Sequence, residues 1–445
     1  MKIIGHATVV TLGEQHKVIN DGAVAYDEKK IHAIGTTSEI KQRFPKAKMK
    51  NAQGRLLMPG IINNHMHLYS TFARGITLKD EPPTNFVEIL ERLWWRLDKA
   101  LTKEDLYLTA MIPLLDAVRN GVTTLVDHHA SPGYIEGSLS VLRDAFKKCG
   151  LRGSLCYEIS DRDGAEKCNA GFEENANFIR GLKLENDPSI TGMIGLHASF
   201  TLSDTSLERA AELMKALQTG VHIHVAEDQA DNEDAVKRGY RSVVDRLHRF
   251  NLTGPDSIFV HGVHCDAHDI QTLSLTKTNI VHNPRSNMNN AVGCAPLEKM
   301  MDEKLNVSFG TDGMSASPLE DLAVANLLHK HQAGDPRKIY GEAWKMFAVN
   351  GPRLGQKLFK KRVGVIEEGA APDLVLWDYI PPTPVTEGNT YGHLTFGLPF
   401  SKVMTSICQG KTILDEGKLA FMSEEEEQEL CAKSRELSQK LWDRF

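Results

Sequence analysis

Residues 59–67 read Pro59-Gly60-Ile61-Ile62-Asn63-Asn64-His65-Met66-His67, an apolar run that ends in His-x-His. On a strand, alternate side chains share a face, so both imidazoles point the same way and can grip one metal ion. Matching residue types end other short apolar runs. His224 is followed three residues later by Glu227, His261 ends a run in Val260-His261-Gly262-Val263-His264, and Asp312 closes another in Gly310-Thr311-Asp312-Gly313. Three imidazoles and a carboxylate (His65, His67, His224 and Asp312) form a donor set for a catalytic divalent cation with an open position for water. Asp312 is either the fourth protein ligand or the base beside it, and the flanking glycines let the backbone turn around it. His222 shares the inward phase of His224 and is the alternative ligand. It sits a layer deeper, so His224 is preferred. His261 is placed to reach a metal-bound water, and His264, past its strand, is unassigned.

Residues so far apart meet only if a regular frame brings strand ends together. Eight strand-like segments run through the chain at 57–64, 122–128, 153–159, 191–197, 220–226, 257–262, 279–283 and 306–311. Segments with helical periodicity, such as 138–148, 206–217, 235–250 and 296–305, alternate with them. Eight βα units in series predict an α/β chain built as a (β/α)8 barrel of the TIM type, whose strand carboxyl ends converge on one face. An open doubly wound sheet is the other topology, but no Gly-rich phosphate turn follows the first strand.

The flanks read differently. Short alternating segments at 3–11, 22–26 and 31–34, and again at 364–378 and 403–419, predict a small β-sandwich built from both chain ends. The expected division is 1–55 and 361–422 for the sandwich, 56–360 for the barrel and 423–445 for a terminal helix. Ser423 and Glu426 have capping-box spacing, and Leu430, Leu437 and Leu441 lie near one helix face.

Of 445 residues, 41% are hydrophobic and 25% charged, a folded balance. A net charge of -6 without a dense Lys/Arg run argues against nucleic acid or an anionic membrane as partner and leaves a small molecule. No secretory leader and no membrane-spanning apolar run is evident, so a cytoplasmic location is expected. Seven cysteines, with no CxxC pair, suggest neither disulfides nor a thiolate zinc site.

Together, Pro-Gly-x4-His-x-His, His-x-x-Glu, the strand-six histidine, His282-Asn283-Pro284 and Gly-Thr-Asp-Gly resemble the amidohydrolase superfamily across essentially the whole chain. The branch they resemble contains cytosine, guanine and S-adenosylhomocysteine deaminases and triazine hydrolases, and within it the SsnA-like aminohydrolases. The resemblance implies His65, His67, His224 and Asp312 as metal ligands, and Glu227 and His261 as the proton-handling pair. His197 matches a substrate-contacting position. The fourth strand offers no lysine to bridge two metals, so one metal is implied, with zinc first and iron the alternative.

The activity expected is release of ammonia from an amino-substituted, purine-like heterocycle by metal-activated water, in nitrogen metabolism. Glu227 favours deamination over displacement of chloride, which has less need of ring protonation. Hydrolysis of a cyclic amide or imine is the alternative reading. A catalytically silent scaffold is disfavoured by the intact donor set. The stretch after His67, with Tyr69, Arg74, Trp94, Trp95, Arg96 and Asp98, is placed to set specificity, and Trp94 and Trp95 could stack on a ring. His128, His129, Tyr157 and Glu158, at the ends of strands two and three, are unranked candidates for the same pocket. The β-rich flanks and helical tail offer surfaces for a homo-oligomer.

Overall fold

The computed structural model describes residues 1–185 and 187–445. Eight parallel strands succeed one another in chain order: Ile61–Met66, Val122–His129, Arg152–Tyr157, Ile194–Ala198, Val221–Val225, Ile258–His261, Asn279–His282 and Asn306–Phe309. The first three form one parallel sheet, extended by Ile190–Gly192, and the other five form a second. Parallel bridges between Ile159 and Leu196, and between Met66 and Asp312, join the sheets at both seams, so the strands run round a (β/α)8 barrel. Helices cover the outside, which is why the first two strands are buried at every residue. Ser138–Cys149 shows how such a helix docks, burying Leu139, Leu142, Ala145, Phe146 and Cys149 at three- and four-residue spacing.

Both chain ends build the second β unit. A nine-stranded sheet joins Lys2–Val10, Val18–Tyr26, Ile31–Thr36, Lys48–Asn51 and Leu56–Pro59 to Leu374–Trp377, Val403–Cys408, Lys411–Asp415 and Lys418–Leu419. The seam between the two halves is antiparallel, Leu374 opposite Pro59 and Leu376 opposite Leu57. A buried ion pair ties this unit to the barrel: Arg152 Nη1 on the third strand donates to Asp373 Oδ2 at 2.5 Å.

Three expected elements are broken where tertiary contacts intervene. The first strand, expected over 57–64, is two: Leu56–Pro59 belongs to the nine-stranded sheet and Ile61–Met66 to the barrel. The handover is at Gly60, whose N–H donates to Asp373 O while the next N–H, of Ile61, donates to Gly121 O. A Cβ at residue 60 would lie 2.1 Å from Thr123 Oγ1, so only glycine lets the chain cross there. The fourth strand, expected over 191–197, splits into Ile190–Gly192, paired to the third strand, and Ile194–Ala198. The helix expected over 235–250 is Gln229–Lys237 and then Val243–Arg249, because Ser242 caps a new start, its Oγ accepting from Asp245 N at 3.1 Å.

The tail forms a helix, Glu424–Arg444, opened by a capping box between Ser423 and Glu426. Leu437 and Leu441 are buried and Leu430 is half-buried. Trp442 Nε1 donates to Phe72 O at 2.7 Å, so the tail docks on the turn that follows the first barrel strand. No helix among the described residues is long and apolar enough to cross a membrane.

Candidate active site

The first and eighth strands meet at the seam in a way that fixes two of the candidate ligands. His65 O accepts from both Thr311 N (2.9 Å) and Asp312 N (3.1 Å), and His67 N donates to Asp312 O at 3.4 Å. Gly310 makes this approach possible, since a Cβ there would lie 2.8 Å from His65 Cβ and 2.4 Å from Asn283 Oδ1. The tight turn was expected to fall on the flanking glycines. Asp312 itself takes the left-handed conformation (φ 55°), as do Ala226 (φ 51°) and His261 (φ 76°). Such backbone costs about 1–3 kcal/mol per residue and is kept where the surroundings fix it.

Each imidazole is held from behind. His67 Nδ1 donates to His128 O at 2.6 Å, His224 Nδ1 to His197 O at 2.7 Å, and His261 Nδ1 to Asn287 Oδ1 at 2.8 Å. With the proton on Nδ1, each Nε2 presents a lone pair to the centre, the arrangement that orients metal-binding histidines. His67 Nε2 and His224 Nε2 are 3.1 Å apart, and His67 Nε2 is 3.1 Å from Asp312 Oδ1. His65 Nε2 lies 3.6 Å from the same oxygen. The ligand nitrogens of His65, His67 and His224 fall within 4.8 Å of one another. Two facing lone pairs repel unless a cation lies between them, and His65 Nε2 is buried with no hydrogen-bond partner. These residues therefore fit a divalent metal held by three nitrogens and Asp312.

Glu227 and His261 stand beside this centre: Glu227 Oε2 is 3.2 Å from His261 Nε2, which is 3.7 Å from Asp312 Oδ2. Burial and repulsion from Asp312 raise the Glu227 carboxyl well above its usual range, keeping its proton available. Burial also pushes Asp312 up, but the His65 and His67 rings beside it outweigh that and hold its carboxyl well below the usual range. Burial lowers His65 to about 3, His261 to about 4 and His224 below its ordinary value, so these rings are neutral, as ligation requires. His67 is opposite in sign: burial lowers it, but Asp312 and Glu158 together raise it, so the field there favours a positive charge.

His222 lies beneath the centre, as its deeper position on the strand required. Its Nε2 is 2.9 Å from His65 Nδ1, and its carbonyl accepts from His128 Nε2 at 3.0 Å. His128 and His222 are stacked rings, their centroids 4.4 Å apart. His264 Nε2 donates to Val292 O at 2.8 Å. His197 lines the cleft, its Nδ1 2.9 Å from Thr201 Oγ1. Of the stretch after His67, Tyr69, Trp94, Trp95 and Asp98 line the cleft. Arg74 instead pairs with Asp116, and Arg96 with Asp80. Glu158 lines it too, whereas His129 turns to Ser131 Oγ and Tyr157 is buried outside the lining.

Three polar partners went unread in the sequence. Ser286 Oγ donates to Asp312 Oδ2 at 2.5 Å, Asn287 holds His261, and Asn290 Nδ2 donates to Glu227 Oε1 at 3.4 Å. All belong to or directly follow the short helix Pro284–Asn289, and their signal was the polar run after His282-Asn283-Pro284.

The model of the amidohydrolase family matches residues 56–413. The chain is similar, at 29% identity over 428 residues and 95% of both chains, to a Methanosarcina acetivorans protein named 5'-deoxyadenosine deaminase. It is similar, at 29% over 429 residues and again 95% of both, to a Pelotomaculum thermopropionicum protein named 5-methylthioadenosine/S-adenosylhomocysteine deaminase. Among solved structures, an adenosine deaminase from Xanthomonas campestris with bound zinc superimposes with a TM-score of 0.86 at 24% identity, covering 99% of this chain and 98% of that one. Atrazine chlorohydrolase TrzN from Arthrobacter aurescens, complexed with zinc, gives 0.80 at 20%, covering 98% and 100%. At those identities the likeness is one of fold.

Proposed function

Since the chain belongs to the amidohydrolase family, we propose that it is a mononuclear metal-dependent aminohydrolase that releases ammonia from an amino-substituted, purine-like heterocycle. The observation that carries this reading is the convergence of His65, His67, His224 and Asp312 with a buried Glu227 beside them. The names of the two relatives support an adenosine-type substrate. Zinc is the proposed metal: imidazole and carboxylate also suit iron, but the Xanthomonas campestris structure carries zinc. A single metal is supported by the absence of any lysine among the described residues that line the cleft. A cytoplasmic location is supported by seven cysteines that are all free.

A divalent cation bound here would supply a water of lowered pKa and a Lewis-acidic centre. Asp312, ionised and steadied by Ser286, takes a proton from the attacking water. Glu227 donates its proton to a ring nitrogen, which makes the amino-bearing carbon electrophilic. His261, its Nδ1 proton held by Asn287, accepts a hydrogen bond at Nε2 from the attacking water. Asp312 then returns its proton to the leaving amine, and as the carbonyl forms the remaining hydroxyl proton passes to Glu227, so ammonia leaves and both carboxyl groups regain their starting states.

The test is to measure bound metal and ammonia release over aminopurines, aminopurine nucleosides, aminopyrimidines, triazines and formimino compounds. About one zinc per chain with ammonia release from an aminopurine compound is expected. Silence on the whole panel after zinc or iron is restored would overturn the reading. Ring opening without ammonia would favour cyclic amide or imine hydrolysis instead.

A further inference from the structure

The described residues that line the cleft include six carboxylates, Asp98, Glu158, Glu227, Asp228, Asp231 and Asp312, and neither lysine nor arginine. Five are accounted for. Glu227 and Asp312 belong to the proposed chemistry, and Asp98 is paired with Arg162. Asp228 caps a helix by accepting from Ala230 N at 3.0 Å, and Asp231 accepts from Ala226 N at 2.8 Å. Glu158 remains. Its side chain is only 2% exposed, and among the described residues no lysine or arginine pairs with it and Oε1 has no hydrogen-bond partner.

The nitrogens nearest Glu158 do not satisfy it. His67 Nδ1 is 3.1 Å away but directs its N–H to His128 O, and His128 Nδ1 and His197 Nε2 are 3.5 and 4.0 Å away. A buried carboxylate whose nearest partner is the His67 ring, itself committed to His128 O, is costly, and one that lines a cleft can recover that cost from a ligand. The lining also includes Phe86, Trp94, Trp95 and Phe200, and aromatic ring faces attract positive charge.

We propose that the cleft selects amino-heterocycles bearing a cationic or strongly hydrogen-bond-donating substituent, rejects anionic ones, and that Glu158 is the residue that makes this distinction. This rests on the aminohydrolase reading. Glu158 is a specificity-determining residue, acting on the substrate by charge in a poorly hydrated cleft, where the effect reaches across several ångströms.

The experiment uses zinc-loaded Glu227→Gln protein, which retains ligands without turning them over, and three ligands on one scaffold: 5'-amino-5'-deoxyadenosine, adenosine and adenosine 5'-monophosphate. Equilibrium binding should follow that order, with about tenfold or more between the ends. Adding Glu158→Gln should collapse the span to within about threefold while zinc is retained. Equal affinities in the Glu227→Gln protein, or a span that survives Glu158→Gln, would overturn the proposal. Loss of zinc on Glu158→Gln would also overturn it, leaving Glu158 as a support for His67. Ammonia release by wild type with no charge preference would sink this proposal alone. Failure of all three ligands to bind would sink it together with the adenosine-type reading.

Discussion

Gly310→Ala adds one methyl group at the seam between the first and eighth barrel strands. Its carbon would fall 2.4 Å from Asn283 Oδ1, 2.7 Å from Val281 Cγ1 and 2.8 Å from His65 Cβ. Carbon atoms pack favourably at about 3.5–4.0 Å, so roughly 1 Å of displacement must be shared among three strands, one of which carries His65. Residue 310 does not have positive φ, so alanine is conformationally acceptable and the cost is steric. Overpacking of this kind destabilises by about 1–3 kcal/mol. Moving the Cβ of a proposed ligand should weaken zinc binding about 10–100-fold, the scale seen when a ligand's support is lost. The assay is zinc competition against a chromogenic chelator, with thermal melts of the metal-free chain. Gly181→Ala is the control: it lies on the helix Ala165–Glu185, where an added Cβ meets nothing within 4 Å, and should gain up to about 1 kcal/mol. Wild-type zinc affinity and an unchanged melt for Gly310→Ala would refute the claim that this contact positions His65.

Glu227→Gln should leave zinc content unchanged while ammonia release falls by about 10²–10⁴, measured by steady-state kinetics, whereas loss of zinc would make Glu227 a ligand. Chelation should abolish ammonia release and lower the melting temperature, both recovered on adding zinc; at a hundredfold excess over Kd the metal contributes about 2.7 kcal/mol. Arg152→Leu leaves Asp373 buried without its cation and should destabilise by about 3–5 kcal/mol in denaturant titration. Arg152→Leu with Asp373→Asn should recover part of that loss, and a double variant weaker than the single would contradict the assignment of the cost to an unpaired charge.

The convergence of the proposed donors was legible because barrel topology turns a local motif into a global one. Once His65 and His67 end a strand, His224, His261 and Asp312 at other strand ends must converge, whatever the loops do. The break at Gly60 was not legible, since apolar residues continue on both sides and only the approach of Thr123 distinguishes the two sheets. Ser286, Asn287 and Asn290 were missed for a related reason: a six-residue helix shows no periodicity, and polar side chains that follow a strand resemble an ordinary turn. Glu158 was visible at a strand end but unranked, because its lack of a partner is a property of its surroundings. Asp312 held a different surprise. A carboxylate between glycines suggests that the glycines turn the chain, yet the aspartate takes the left-handed conformation itself, held by its backbone bond to His65 O.

The Met66–Asp312 bridge also has a bearing on synthesis. The proposed donors at residues 65, 67 and 224 are joined at the seam by a carboxylate that leaves the ribosome almost 250 residues after the first of them. A nascent chain thus lacks the proposed carboxylate donor until its eighth barrel strand has closed against its first. On the proposed assignment every shorter intermediate lacks Asp312, so the joint that shuts the barrel is also the one that completes the site.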